Sequence, residues 1–262
     1  MVKENLARLA LASALAASQS PGNTVYLPAV FRQGPPVVTT WVEGWNNDEG
    51  VQARWNRVGG VCWHVPRPGL LEMVCESQGL TSISHWDLLH NITVEGEVMG
   101  ENEVPAQDGG TAFWAGLTLF DRHIINVDEN NDGKLEEVDD SRYAELTHMA
   151  WMRPGDPAHF PQIASLTNER YPYPGRGEFR TLQSAPPGSK HQFKIVYQAA
   201  EQQYLYYVDD MKKPVHHVPA HMLEDPNIFI LCVAVRWNNE VVTKARAHCE
   251  FGPITVTGVR IP

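Results

Sequence analysis

The sequence lacks the patterns that mark most familiar enzyme chemistries. It contains no G-x-S-x-G elbow, no phosphate-binding loop, no H-E-x-x-H and no dinucleotide fingerprint, so the chemistry those patterns position is unsupported. Cysteine is scarce. There are four, Cys62, Cys75, Cys232 and Cys249, and no C-x-x-C pair, which argues against a zinc ribbon or a dithiol redox motif. Four cysteines leave the disulfide pairing open, with Cys62–Cys75 and Cys232–Cys249 as the local options. Positive charge is also short: 21 Lys and Arg stand against 31 Asp and Glu, a net charge of -10. A nucleic-acid binder needs the opposite balance. No apolar run is long enough to span a bilayer as a mature helix. Helical periodicity is confined to the N-terminus and a weak stretch over Glu136–Arg142.

What remains is a β pattern. Hydrophobic residues make up 43 % of the 262 residues, enough to bury a substantial core. From Trp41 onward, short alternating runs are separated by Gly, Pro, Asn and Asp clusters. In Ile92–Val98, Ile92, Val94 and Val98 fall on one face, and Thr93, Glu95 and Glu97 on the other. Leu70–Cys75, Ala112–Phe120, Tyr143–Met152, Ile228–Trp237 and Phe251–Val259 read as further strands. Phe193–Tyr197 and Tyr204–Val208 read as a hairpin. Asp156–Pro187, rich in Pro and Gly, reads as a surface excursion. The pattern predicts an all-β protein, a two-sheet antiparallel jelly-roll sandwich over residues 41–262.

Two segments precede that block. Residues 1–22 carry Lys3 and Arg8, the apolar run Leu9–Ala17 and the small residues Ala16-Ala17-Ser18, the layout of a short export leader. A secreted or cell-surface protein is therefore expected. Residues 23–40 hold the apolar run Val25–Phe31 and a Pro-rich lead-in, and that run could pair with the sheet edge of a second copy.

The segment Asp128–Asp139 fits the calcium-loop pattern D-x-[DN]-x-[DN]-G. Asp128, Asn130 and Asp132 place short oxygen arms at alternate positions, and calcium takes six to eight hard oxygens. Gly133 permits the sharp turn. Lys134 would contribute its backbone carbonyl, Glu136 would bind directly or through water, and Asp139 would close the shell. Ca2+ is the one cofactor expected. The loop resembles those of EF-hand and dockerin modules, although a strand-like Ile124–Val127, not a helix, leads into it.

The strand series itself resembles the concanavalin A-like lectins and glucanases. The resemblance is carried by Asn91–Val98 leading to Phe113–Leu119, by His191–Tyr197 followed by Tyr204–Asp210, and by the closing Phe251–Val256. It implies a jelly roll and a polysaccharide or glycan partner. The laminarinase-type enzymes of that group carry E-x-D-x-x-E or E-x-D-x-E on one strand. Glycosidases need two carboxylates flanking the sugar bond. Here Glu95 and Glu97 share a face without the central Asp, so they are weak catalytic candidates. The eight Trp residues suit sugar stacking. Trp114 shares its strand face with Gly116 and Thr118, and Trp151 shares one with Tyr143 and Glu145. A ligand groove formed by Trp114, Trp151, Glu145 and Arg236, with Glu95 and Glu97 alongside, is the resulting expectation. The cluster His216, His217 and His221 is a poor metal site, because adjacent strand residues point to opposite faces.

Three functions follow. A calcium-stabilised, exported glycan-binding protein of lectin type leads. A glycoside hydrolase or lyase of the same fold comes second, and a structural surface or filament subunit third.

Overall fold

The computed structural model describes residues 37–59, 63–75, 77–82, 89–104, 112–121, 124–127, 136–139, 142–151, 161–168, 178–220, 226–234 and 246–260. The leader, the Val25–Phe31 run, residues 128–135 of the calcium loop, Cys62, Arg236 and His221 lie outside them.

In chain order the strands are β1 (Val37–Glu43), β2 (Trp55–Gly59), β3 (Trp63–Arg67), β4 (Leu70–Cys75), β5 (Ser77–Ser82), β6 (Leu89–Val104), β7 (Ala112–Asp121), β8 (Ile124–Val127), β9 (Glu136–Asp139), β10 (Arg142–Trp151), β11 (Gln162–Asn168), β12 (Glu178–Ser184), β13 (Lys190–Gln198), β14 (Gln203–Val208), β15 (His216–Pro219), β16 (Pro226–Val233) and β17 (Arg246–Arg260). One short helix, α1 (Asp48–Arg54), lies between β1 and β2.

Two antiparallel sheets carry almost all of this. The eight-stranded sheet runs β15-β14-β13-β6-β17-β4-β3, with β1 also paired to β17. The seven-stranded sheet runs β12-β11-β10-β7-β16-β5-β2. Strands far apart in sequence become neighbours, as in a jelly roll. The core lies between the sheets, where Val94, Val98, Phe193, Ile195, Phe251 and Val256 join Phe113, Leu117, Leu119, Ile228 and Ile230 in one buried cluster. The alternation read from Ile92–Val98 holds: Ile92, Val94 and Val98 are buried, and Thr93, Glu95 and Glu97 are half-buried on the other face. The sheets approach closely at Gly100, where a Cβ would meet Ala115 and Phe113 carbons at 2.8 Å.

The expected hairpin forms, with Phe193 opposite Val208 and Tyr197 opposite Tyr204. Three expectations are corrected. The stretch from Asp156 to Pro187 is not merely a surface excursion, because β11 and β12 within it complete one flank of the seven-stranded sheet. Its Pro and Gly residues obscured two short strands, β11 registering against β10 and β12 against β11. Glu136–Asp139 is strand, not helix, and pairs with β8. Cys232 and Cys249 are not joined to one another; both are buried. Cys232 Sγ lies 3.4 Å from the Met73 carbonyl and Cys249 Sγ 3.8 Å from that of Trp114. They behave as small core hydrophobes.

Helix α1 went unread because seven residues hold no full amphipathic repeat. Its start is nonetheless encoded: the Asn47 side chain accepts from the Gly50 N–H at 2.7 Å, Asp48 and Glu49 occupy the first turn, and Arg54 the last.

Candidate functional site

The register of the seven-stranded sheet decides which polar residues share its outer face, away from the core. On β7, Phe113, Ala115, Leu117 and Leu119 are core residues, so Trp114, Gly116, Thr118 and Phe120 take the other side. On β10, Ala144, Leu146 and Ala150 are core residues, which turns Tyr143, Glu145, Thr147 and Met149 outward. Glu145 stands directly opposite Thr118, and Thr147 opposite Gly116. On β16, Phe229 stands opposite Thr118 from the other side.

Glu145 is the centre of this face. It is only 6 % exposed, although it points away from the inter-sheet core. The Trp114 indole Nε1 donates to its Oε1 at 2.5 Å, and Thr118 Oγ1 donates to its Oε2 at 3.3 Å. No described cation pairs with it. Burial therefore dominates, and the carboxyl is pushed up to about 7 despite the two hydrogen bonds. At neutral pH it is divided between acid and carboxylate, able to donate to or accept from a ligand hydroxyl. Tyr143, beside it, is pushed up by burial and then by the Glu145 charge. The Glu145 carboxylate fills the space over Gly116: a Cβ there would meet Oε1 at 2.7 Å.

Aromatic surface surrounds this group. Trp114, Tyr143, Phe120 and Phe229 are half-buried and Phe179 is exposed. The Phe120 and Phe229 rings lie 6.3 Å apart in a tilted pair. Along β10 the outer row reads Glu145, Thr147, Met149, where an E-x-D-x-E strand would carry three carboxylates. Among the described residues no second carboxylate shares this face. Retaining and inverting hydrolysis need partners ~5–5.5 Å and ~6.5–9.5 Å away, and neither distance is met by a described pair here.

The expected groove is thus assembled in part. Trp114 and Glu145 come together. Glu95 and Glu97 do not join them: they lie on β6, in the other sheet, on its outer face. The Glu97 carboxylate accepts from Gln192 Nε2 at 3.3 Å and lies 3.7 Å from Lys190 Nζ, and Glu95 stands between Lys194 and Thr255 in the register. The reason is topological, since β6 and β10 have similar patterns but belong to different layers. Trp151 closes β10 opposite Ala112, and nothing further is described of it. Arg236 lies outside the described residues.

Of the expected calcium segment, residues 128–135 lie outside the described residues. On either side of them Val127 pairs with Glu136 and Ile124 with Asp139. Asp139 is at the other end of β9, ~10 Å along the strand from Glu136. His216 and His217 alternate as expected, one buried and one exposed, and His216 is engaged by Glu178 at 3.1 Å and Arg180 at 3.1 Å.

Solved structures similar to the chain share this architecture. One is an immunostimulatory antigen and pseudo β-1,3-glucanase of Mycobacterium tuberculosis, 11 % identical, covering 86 % of this chain and 99 % of that one, with a TM-score of 0.52. The fold is the concanavalin A-like jelly roll. The Bacillus licheniformis β-glucanase is 12 % identical, covering 83 % of this chain and 97 % of that one at a TM-score of 0.51. A β-1,3-1,4-glucanase from a mouse hindgut metagenome is 8 % identical, covering 83 % and 98 % at 0.51. No protein-family model matches the chain, and no curated protein sequence matches it. At these identities the likeness concerns the fold.

Proposed function

We propose that the protein is a glycan-binding protein of lectin type that takes β-glucan chains on the outer face of its seven-stranded sheet. Glu145 is the polar anchor, and Trp114 with Phe229 and Phe120 supplies the stacking surface. The observation that carries this reading is one buried, near-neutral carboxyl bonded to a half-exposed indole, on an aromatic sheet face without a second described carboxylate. Sugar rings present apolar faces to aromatics and hydroxyls to a donor–acceptor group. β-Glucan is the first ligand class to test because the neighbours named above are described as glucanases or as a pseudo-glucanase.

The test is calorimetric titration with β-1,3- and mixed-linkage glucan oligosaccharides, alongside measurement of released reducing ends. Binding without cleavage is expected, with Trp114→Ala weakening affinity at least tenfold. Cleavage that disappears in Glu145→Gln would replace this reading with the hydrolase one. That alternative is favoured by one feature, a carboxyl poised near pH 7, which suits a general acid.

A calcium ion in the loop at the tip of the β8–β9 hairpin belongs to the same proposal. Asp128, Asn130 and Asp132, the Lys134 carbonyl and Glu136 would hold it, with Asp139 as the expected closing ligand. Calcium would tie down the loop without taking part in chemistry. Adding calcium to chelator-treated protein at 100 times its dissociation constant should stabilise the fold by about 2.7 kcal/mol, read as a rise in melting temperature that Asp128→Ala abolishes. Export and an N-terminal strand for self-association stand as companion proposals, tested by fractionation and by chromatography of the full chain against one lacking residues 1–36.

A further inference from the structure

The outer face of the eight-stranded sheet carries a cluster unrelated to the glycan surface. His64, Glu72 and Glu250 stand directly opposite one another across β3, β4 and β17. His248 is two residues before Glu250 on β17, hence on the same face, and pairs with Glu101 on β6. One ligating atom from each of Glu72, His248 and Glu250 lies within 4.8 Å of the others.

We infer that Glu72, His248 and Glu250 form a binding site for a divalent transition metal of the zinc class. Small side-chain rotations bring donors at this spacing to the ~2.0–2.2 Å that zinc requires of nitrogen and carboxylate oxygen. The imidazole selects zinc, copper or nickel over calcium and magnesium, which take oxygen. The donors come from adjacent central strands, a rigid frame.

Three features of the surroundings fit a metal. First, Glu72 and Glu250 are like charges directly opposite across a ladder, an arrangement that costs stability unless a cation lies between them. Second, Glu101 Oε1 lies 3.0 Å from His248 Nδ1. A carboxylate that takes the Nδ1 proton fixes the tautomer and leaves the Nε2 lone pair for a metal. Third, His64 Nε2 lies 3.6 Å from Glu72 Oε2, where a further nitrogen donor is at hand. The cation already present is Lys190, whose Nζ is 2.7 Å from Glu250 Oε2. Lys190 therefore competes with a metal for Glu250, and its removal must strengthen metal binding. An ion-pair network with no metal role would only be weakened by the same change.

The experiment is calorimetry of tag-free, chelator-stripped full-length protein with zinc chloride, paired with cobalt(II) absorption, which reports nitrogen coordination. The wild type should take up one zinc at this site, with calcium saturating the hairpin loop beforehand. His248→Gln should lose that uptake and the cobalt band while keeping the wild-type circular dichroism spectrum. Glu101→Gln should weaken binding ~10-fold or more as a positioning change, and Lys190→Met should tighten it at least threefold. Absence of zinc uptake by the wild type, or uptake unchanged in both His248→Gln and Glu250→Gln, overturns the site. Tighter binding in Glu101→Gln, or weaker binding in Lys190→Met, overturns the assigned roles of those residues.

Discussion

Among the described residues two glutamates, Glu43 and Glu145, are withdrawn from water, and they end with opposite protonation preferences. Glu43, at the end of β1, is fully buried. Burial pushes its carboxyl up, yet the balance lies below the usual range. Arg54 donates twice at 2.8 Å, Trp55 Nε1 donates at 3.0 Å and the Trp45 backbone N–H at 2.9 Å. Glu145 has an indole and a hydroxyl, no described cation, and rises to about 7. The difference lies in the partners rather than the depth. Four donors including a guanidinium hold the charge of Glu43, which locks α1 and the left-handed Trp45 (φ +46) against the sheets. Two neutral donors leave Glu145 without a charge partner among the described residues, and burial prevails.

The largest effect should come from breaking the satisfied member. Glu43→Gln leaves Arg54, Trp45 and Trp55 competing for one neutral oxygen. About 3 kcal/mol of stability should be lost, reduced from the full cost of a broken buried pair because Arg54 is partly exposed. Urea unfolding at pH 7 measures it. The sign with pH also follows. A lowered folded-state value means the Glu43 contribution is fully present above the ordinary value of 4.5 and is lost as pH falls from there through the lowered folded-state value.

Glu145→Gln should act in the other direction. Between the ordinary value of 4.5 and about 7 the folded protein retains a proton that the unfolded chain has released, so wild-type stability falls as pH rises through that window. The variant should be about 2 kcal/mol more stable than wild type at pH 8, against an upper limit near 3 kcal/mol for a shift of this size, and nearly equal to it at pH 4.5. The inward-facing His148 on the same strand sharpens the test. Its Nδ1 accepts from the Gly100 N–H at 3.2 Å and its Nε2 reaches the Ala185 carbonyl at 3.4 Å. Burial first, then the nearby His191, lowers it from 6.5 to about 4. It therefore costs stability as pH falls from 6.5 toward 4, opposing Glu145. Removing Glu145 should expose that slope, with stability rising from pH 4.5 to 6.5; a flat profile would contradict one of the two assignments.

The smallest effect on stability, about 1 kcal/mol, is expected from Gly116→Ala, which drives a methyl against Glu145 Oε1. Its stronger signature should be in Trp114 fluorescence and glucan affinity, because the indole–carboxylate bond must open. Unchanged fluorescence would mean that the carboxylate is not where the register puts it.

Much of the fold was legible in sequence. Ile92–Val98 and the Phe193–Val208 hairpin alternate cleanly, since a half-buried strand shows a period of two. The strands within Asp156–Pro187 were hidden, because their flanks are rich in turn residues and β11 is buried on both faces at Gln162–Ser165. Of the site, Trp114 and Glu145 were both singled out, but Glu145 counted as one ligand among several. Its neighbours on β10, Thr147 and Met149, break the expected row of carboxylates, so no motif drew attention to it. Glu95 and Glu97 looked stronger because spacing along one strand is visible in sequence.

Local chemistry in the chain was enough to determine an all-β protein, the face assignment within individual strands, a net negative charge and a short segment rich in Asp, Asn and Glu. Those properties depend on neighbours within a few residues. Tertiary structure decided which strands lie side by side, and with that which carboxylate meets Trp114, which thiols stay apart and which glutamates face a histidine. Strand pairing joins residues more than a hundred positions apart, and two strands of identical alternation can belong to either layer. No periodicity records that choice; it is made when the two apolar faces close on one another.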